Sequence, residues 1–435
     1  MNPKILTAIL VWGIASITGR AAILPASIPD RVFDITAHGA MPDGSTSATA
    51  AIQQTIDAAS KAGGGQVLVP KGRYLSGPLV LANNIDLHIA REAILLMSAN
   101  PDDFPIQKDR HTGFISAANA HDVRLSGEGT IDGQGASWWK AFLAEKSRNE
   151  QSAPRRPQLV QFDKCERLQI EGVTTLNPPN THFSFRNCAD ITISGITATA
   201  PDESPNTDAL NLSIARNVLV TGCNISTGDD NIVLLCGGAP SDSPQVENVV
   251  IRDCKLGFGH GLSIGSYTSG GVKNVTVENI AFDGTTSGIR MKAWRDRGGL
   301  VEGLRYRNIT MNNVRYPIMI TSYYPKLPAG PAQDLASDKS GRTPVWRDIS
   351  IEDVAITGSQ NSIILWGLPD QPIAGVRFKN IKAATQLGAR VFHAKDVDFS
   401  NVEIVPAAGP ALEVFDAAVT GMAGVAPIGN NVKFK

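Results

Sequence analysis

The sequence predicts an all-β chain wound as a right-handed parallel β-helix, a solenoid of about ten coils with an N-terminal capping helix. Three observations predict it. A two-residue apolar alternation recurs along most of the chain, and residues that tolerate left-handed backbone angles bracket each copy. The copies also follow one another too closely to be separate domains.

The alternation anchors on Val123, Leu168, Ile191, Val218, Val249, Val275, Leu304, Ile349, Val376 and Val397. Two residues on stand Leu125, Ile170, Ile193, Val220, Ile251, Val277, Tyr306, Ile351, Phe378 and Phe399. Apolar residues two apart share one face of a strand, so each copy is a short strand turned to a core. Four residues past every anchor stands Gly, Asn or Asp, from Gly127 and Gly172 through Asp253 to Asn401. Directly before the anchors the residue is Asp, Asn or Gly, with Arg167 the exception. These residue types adopt left-handed angles most readily and so mark bends at both strand ends. Successive anchors in the regular stretch are separated by 23 residues (Leu168 to Ile191) up to 31 (Val218 to Val249). A unit that short cannot bury its own apolar face and must stack on its neighbours.

Two intervals, Val123 to Leu168 and Leu304 to Ile349, run to 45 residues. Their excess lies near "GASWWKAFLAEKSRNEQSAPRRP" and "YYPKLPAGPAQDLASDKSGRTP", read as surface insertions that can shape a binding face. Upstream, "TAAIQQTIDAASKAGGG" has helical apolar spacing and a glycine stop. Such a helix would cover the open end of the stack and its strand edges. No Gly-Lys-Ser/Thr follows Gly63–Gly65, so the run is no phosphate loop. At the start, one lysine precedes an apolar stretch from Ile5 to Ile17 and then small residues. That order predicts a signal peptide over 1–26, with 27–435 as a single solenoid domain; a buried N-terminal helix is the alternative. The expectation is an exported protein, periplasmic or extracellular, monomeric and not inserted in a membrane once mature.

With 42% hydrophobic and 19% charged residues over 435 positions, the chain is too apolar for a disordered protein. A formal net charge of −1 supplies no global basic field for nucleic acid, so an anionic substrate needs a local cluster. The five cysteines fit no zinc spacing. Cys223 and Cys254 fall five past their anchors, and Cys165 and Cys188 three before, at places other coils fill with aliphatic residues. They read as stacked core thiols, with a disulfide inside either pair as the alternative; Cys236 has no assignment.

The stretch "TGDDNIVLL" (227–235) sets Asp229 and Asp230 side by side before an apolar run, where a solvated turn is the bland account. The repeat changes it. Counted from their anchors, Asp229 and His260 occupy the same place on adjacent coils, about 4.8 Å apart. The same count puts Asp208, Asp230, Gly261 and Gly288 in one row. Strand alternation adds Arg290 and Lys292 to that face and turns Met291 the other way, level with Val233 and Ile264. Glycines beside the row leave room for something to approach. Three carboxylates this close cannot all ionise independently, so at least one holds its proton towards neutral pH. A protonated acid beside ionised partners suits cleavage of a sugar acetal. Asp208 and Asp229 sit diagonally across one coil step: a gap of ~6 Å or more favours inversion, and ~5–5.5 Å favours retention. The two cations point to a substrate that carries carboxylates.

On "SPNTDAL" (204–210), "TGDDNI" (227–232), "GHGLSIGS" (259–266) and "SGIRMK" (287–292), the chain resembles glycoside hydrolase family 28, the polygalacturonase family. The likeness continues in "FDITAHGAMPDGSTSATAAI" and "GEGTIDGQGASWW", and so covers most of the mature chain. The resemblance implies that Asp229 is the general acid and that Asp208 and Asp230 activate the attacking water. It implies that His260 tunes the acid, while Arg290 and Lys292 hold the uronate carboxylate. Tyr324 matches a tyrosine lining the substrate site, and Asn206 belongs to the matching Asn-Thr-Asp triplet. His182 in "NPPNTHF" resembles a subsite histidine, with a packed core histidine as the equal alternative. Ala209 stands where family members usually have glycine, and Tyr267 where many exo-acting bacterial relatives have glutamate. Keeping Asp230 and His260 favours uronide cleavage over rhamnogalacturonan.

The expected activity is therefore hydrolysis of α-1,4-galacturonosidic bonds of pectin by an inverting general acid/base mechanism, with no cofactor and no metal. Alternatives on the same fold are a rhamnogalacturonan or xylogalacturonan hydrolase, a calcium-dependent pectate lyase, and a non-catalytic carbohydrate-binding β-helix. Arg290 and Lys292 beside the aspartates weigh against a calcium site.

Overall fold

Each repeat anchor from Val123 to Ile349 pairs with its successor. The computed structural model describes residues 23–148, 155–237, 244–333 and 335–421, so the leader expected over 1–26 lies almost wholly outside the described residues. Val123 pairs with Leu168, Leu168 with Ile191, and the ladder continues through Val218, Val249, Val275, Leu304 and Ile349 to Val376. It also extends back to Ile85 and Gly65. Every pairing in the large sheet is parallel, as a chain that coils in one sense requires. This is the right-handed parallel β-helix the repeat predicts.

The bends form where the sequence marks them. All ten residues before the anchors and all ten residues four past them have positive φ, the non-glycines between 52° and 58°. Arg167 adopts this conformation too, and its guanidinium grips Asp122 of the previous coil through two bonds of 2.9 and 2.7 Å. Once stacked, the bend residues bond to each other. Asn248 donates to Asn217 and accepts from Asn274, and a second ladder joins Asn308, Asn279 and Asp253. The amide side chain thus tolerates the angle and joins neighbouring coils.

Inside, the apolar rows run the length of the stack. Val218, Val249, Val275 and Leu304 are wholly buried, and Phe162 stacks on Phe185 with ring centres 5.4 Å apart. All five cysteines are buried free thiols. The helix predicted upstream spans Thr49–Lys61 and buries Ile52, Ile56 and Ala59. Among the described residues no helix is long and apolar enough to cross a membrane. The first long coil spends its excess on a helix, Ala136–Ser147. The second carries Tyr324 and a short 3-10 turn, Pro331–Gln333, and Arg295 joins it to the stack through Asp370 and the Leu335 carbonyl.

Candidate active site

Five consecutive coils contribute the strands Leu210–Thr221, Ile232–Leu235, Leu262–Ile264, Ser287–Lys292 and Tyr316–Thr321. Their inward row is Leu210, Ile232, Leu262, Ile289 and Ile318, all wholly buried. The next row faces out and reads Asn211, Val233, Ser263, Arg290 and Met319. Asp208 and Asp230 stand just before their strands, where each coil turns into the outer face, and they are level because Leu210 pairs with Ile232.

One step of the expected register is off by a residue. Val218 pairs with Val249, 31 positions on, but Ile232 pairs with Leu262, 30 positions on. The turn before His260 is one residue shorter than the turn before Asp229. Asn231 absorbs the difference: its N–H and that of Ile232 both donate to the Gly261 carbonyl, and its buried amide bonds Gly261 N–H and the Phe258 carbonyl. His260 is therefore level with Asp230 rather than Asp229, and Met291 with Leu234 rather than Val233. The side chains still meet. His260 Nδ1 lies 3.0 Å from Asp229 Oδ1 and 4.0 Å from Asp230 Oδ1.

The three carboxylates occupy different surroundings. Asp230 is 5% exposed, and it accepts from Ser263 Oγ at 2.6 Å, Lys292 Nζ at 2.9 Å and Arg290 Nη1 at 3.4 Å. Asp229 is half-buried and accepts from the Asp230 N–H at 2.9 Å and from Asn206 Nδ2 at 3.3 Å. Burial pushes its carboxyl up, but the His260 hydrogen bond, the charges of His260 and Lys292 and the Asp230 amide outweigh it, leaving it below the ordinary value. Asp208 goes the other way. Burial, then the charges of Asp229 and Asp230, push it well above the ordinary value, against the Asn211 hydrogen bond at 3.1 Å and Lys292. Of Asp208 and Asp229, Asp208 is the one whose surroundings favour the protonated form.

That has a consequence for stability. Between the ordinary carboxylate value and the raised one, folded Asp208 keeps a proton that the unfolded chain has released. Stability therefore falls as pH rises through that window and stays lower above it. Asn never ionises, so Asp208→Asn is expected to raise Tm near neutral pH by roughly 2–4 °C. In acid, below the ordinary carboxylate value, the two proteins should melt together. Scanning calorimetry at both pH values checks this; an equal shift at each would remove the charge explanation.

Among the predicted binding residues, Tyr324 joins the cluster: its ring centre lies 5.3 Å from Lys292 Nζ and 5.8 Å from the Arg290 guanidinium carbon. Arg290 keeps a buried Nε–H with no partner among the described residues, a donor free for an anion. Lys292 is buried against Asp230. Two expectations need correction. His182 is wholly buried, bonded through Nδ1 to Thr175 at 2.8 Å, and burial pushes its pKa down to about 3. It is the packed histidine, neutral and out of a substrate's reach, and it supports Asp208 only through its N–H to the Asp208 carbonyl. The glycines serve packing, not access: a Cβ on Gly261 would sit 1.9 Å from the Ser287 carbonyl oxygen, and one on Gly288 2.5 Å from that of Pro317.

A model of glycosyl hydrolases family 28 matches residues 60–408. The chain belongs to that family. An endo-polygalacturonase of Pectobacterium parmentieri is 31% identical over 359 residues, 78% of this chain and 84% of its own length. A probable polygalacturonase of Vitis vinifera is 31% identical over 365 residues, 79% of this chain and 72% of its own. Among solved structures, the polygalacturonase from Erwinia carotovora ssp. carotovora superposes with a TM-score of 0.73 at 28% identity, covering 87% of this chain and 99% of that one.

As a family 28 glycosyl hydrolase, the chain cleaves glycosidic bonds. Three groups that build its site were missed in the sequence. Ser263 could have been found, because strand alternation puts it on the row of Arg290. Asn211 could not, since only the one-residue slip between Ile232 and Leu262 brings it to that row. Arg156 could not either, since it follows an insertion without periodicity. Its buried guanidinium ties the Pro179 and Pro205 carbonyls at 2.7 and 2.8 Å and holds Asn206 Oδ1 at 2.7 Å, so it positions the amide that reaches Asp229. Burial lowers its pKa to about 10. Asp229, Asp230 and His260 have ligand-type atoms within 4.8 Å of one another and are the one such group among the described residues. Lys292 and Arg290 already balance Asp230 there, so an added cation would meet two fixed positive charges.

Proposed function

We propose that this family 28 enzyme hydrolyses α-1,4-galacturonosidic bonds of pectic galacturonan with inversion, using general acid/base catalysis and no metal. The observation that carries the proposal is the meeting of Asp208, Asp229 and Asp230 at the starts of adjacent strands, beside an Arg290 with an unspent donor. Asp229 is the acid: unlike Asp230 it is not enclosed, and Asn206 and His260 hold its two oxygens. Asp208 and Asp230 direct the water, and Arg290, with Lys292 and Tyr324 beside it, faces the uronate carboxylate. The relatives named polygalacturonases support this substrate class.

A second reading is favoured by the surroundings of Asp208, where burial and the charges of Asp229 and Asp230 push its carboxyl toward the protonated form. In it Asp208 donates and Asp229 serves as the base. The first reading requires the shared proton to move to Asp229 when substrate enters, as dehydration of the half-open carboxyl and a nearby uronate charge both favour.

Further parts of this reading are an exported, monomeric protein with a leader over 1–26, one catalytic domain over 27–435, and the helix Thr49–Lys61 covering the open end of the stack. The deciding experiment is NMR of a polygalacturonate digest at early times. A β-configured new reducing end is the expected result. An α-configured end overturns inversion, and an unsaturated chromophore in the products overturns hydrolysis.

A further inference from the structure

We infer that Arg110 forms a second carboxylate-binding site, which takes a uronate residue of the chain other than the one held at Arg290. The inference rests on the proposed galacturonan substrate. Asp208, Asn206 and Arg156 open on one side into a cavity of about 1240 Å³, which Arg110, Trp138 and Phe142 also line. Elements outside the regular coil build its far wall: the helix Ala136–Ser147 and the antiparallel hairpin Ile106–Gln107 with Arg110–His111. The hairpin is fixed in place. His111 N–H donates to the Arg155 carbonyl at 3.0 Å, Arg155 N–H donates to the Asp109 carbonyl at 2.7 Å, and His111 packs edge-on against Trp138.

Burial and charge together single out Arg110 on this wall, where Lys108 and Lys146 are exposed. Arg155 is paired with Asp109 at 3.1 Å, and Arg186 with Asp163 through two bonds. Arg110 is half-buried and has no ion-pair or hydrogen-bond partner for its guanidinium among the described residues. Burial and the charges of Arg155 and Arg186 all act against its own charge, with Asp109 alone in its favour. An unpaired guanidinium held this way is stabilised when a ligand brings the missing anion, and a planar carboxylate fits its fork of donors. Because the cavity also admits Asp208, one polymer can reach the acid cluster with one ring and Arg110 with another.

The test uses trigalacturonate binding, measured by calorimetry on full-length protein carrying Asp229→Asn so that turnover is negligible during the titration. Adding Arg110→Ala is expected to weaken binding about 10-fold or more, and Arg110→Lys to recover part of that loss. In the otherwise native enzyme, Arg110→Ala should show the loss as a raised KM on polygalacturonate, with kcat changed much less. Unchanged affinity in the Arg110→Ala background overturns the inference. Should that variant melt early, Arg110→Gln against Arg110→Lys decides: affinity that follows the charge supports the site, and equal affinity removes it. If the Asp229→Asn protein binds no oligogalacturonate at all, the substrate assignment fails first, a different result from an indifferent Arg110.

Discussion

Replacing Asp229 with Asn is expected to lower turnover of polygalacturonate by about 10³-fold or more while the protein still folds and binds substrate. The amide oxygen can still accept from the Asp230 N–H, so the turn that holds it has little reason to move. What disappears is the transferable proton and the charge that pairs with His260. The informative comparison uses a second substrate, an aryl galacturonide whose leaving group departs without protonation. If Asp229 is the acid, its Asn variant loses less than about 10-fold on the aryl substrate, because the step it assists is no longer difficult. Asp208→Asn and Asp230→Asn should lose heavily on both substrates, since water must still be directed. The opposite pattern, with Asp208→Asn spared by the activated leaving group, would give the acid role to the residue whose surroundings favour the protonated form. Equal losses for all three variants on both substrates would leave no residue as the acid.

The parts of this molecule that were legible in the sequence are those governed by periodicity. Val218 and Val249 could be paired by counting, because every coil repeats the same apolar alternation and the same Asn, Asp or Gly at its bends. The positive φ angles at Asn248 and Asn279 are the physical basis of that repeat. Counting failed where a turn changed length without changing composition. Nothing in "STGDDN" against "GFGHGL" announces that the second turn is one residue shorter, and the slip cost the levels of His260 and Met291. It did not cost the cluster. Side chains of this size reach across one residue of register, as the 3.0 Å contact between His260 and Asp229 shows. Electrostatic roles were less legible than positions. The sequence told that some carboxylate must be protonated, but burial and the charges of Asp229 and Asp230 favour Asp208, and its degree of burial is not written in the repeat. His182 shows the same limit, since a histidine next to a polar loop is indistinguishable in sequence from one wholly inside the stack. The insertions were visible as length alone. The helix Ala136–Ser147 in the first insertion, and the hairpin with Arg110 upstream of the first anchor, follow no repeat, so only coordinates place them beside Asp208.

Lys292→Met is expected to be the most destabilising single change at the site, by about 3–5 kcal/mol at neutral pH. Lys292 Nζ and Asp230 Oδ2 are 2.9 Å apart, and each side chain is about a tenth exposed or less. Methionine fills the space of the lysine stem but leaves the Asp230 charge with Ser263 at 2.6 Å and a longer contact to Arg290 at 3.4 Å. A buried carboxylate that loses its nearest counter-charge is far costlier than the intact pair is stabilising, which is why the single change ranks with a large core truncation. Urea unfolding at neutral pH measures the deficit. Adding Asp230→Asn to Lys292→Met removes the stranded charge as well, and should recover much of the lost stability without restoring activity, since the group that directs water is then absent. The double variant separates the two roles of this pair: stability depends on matched charge, which two neutral groups can imitate, whereas catalysis depends on Asp230 itself. A single variant as stable at neutral pH as the native enzyme would mean that Arg290 alone balances Asp230, and that Lys292 is free to meet the substrate.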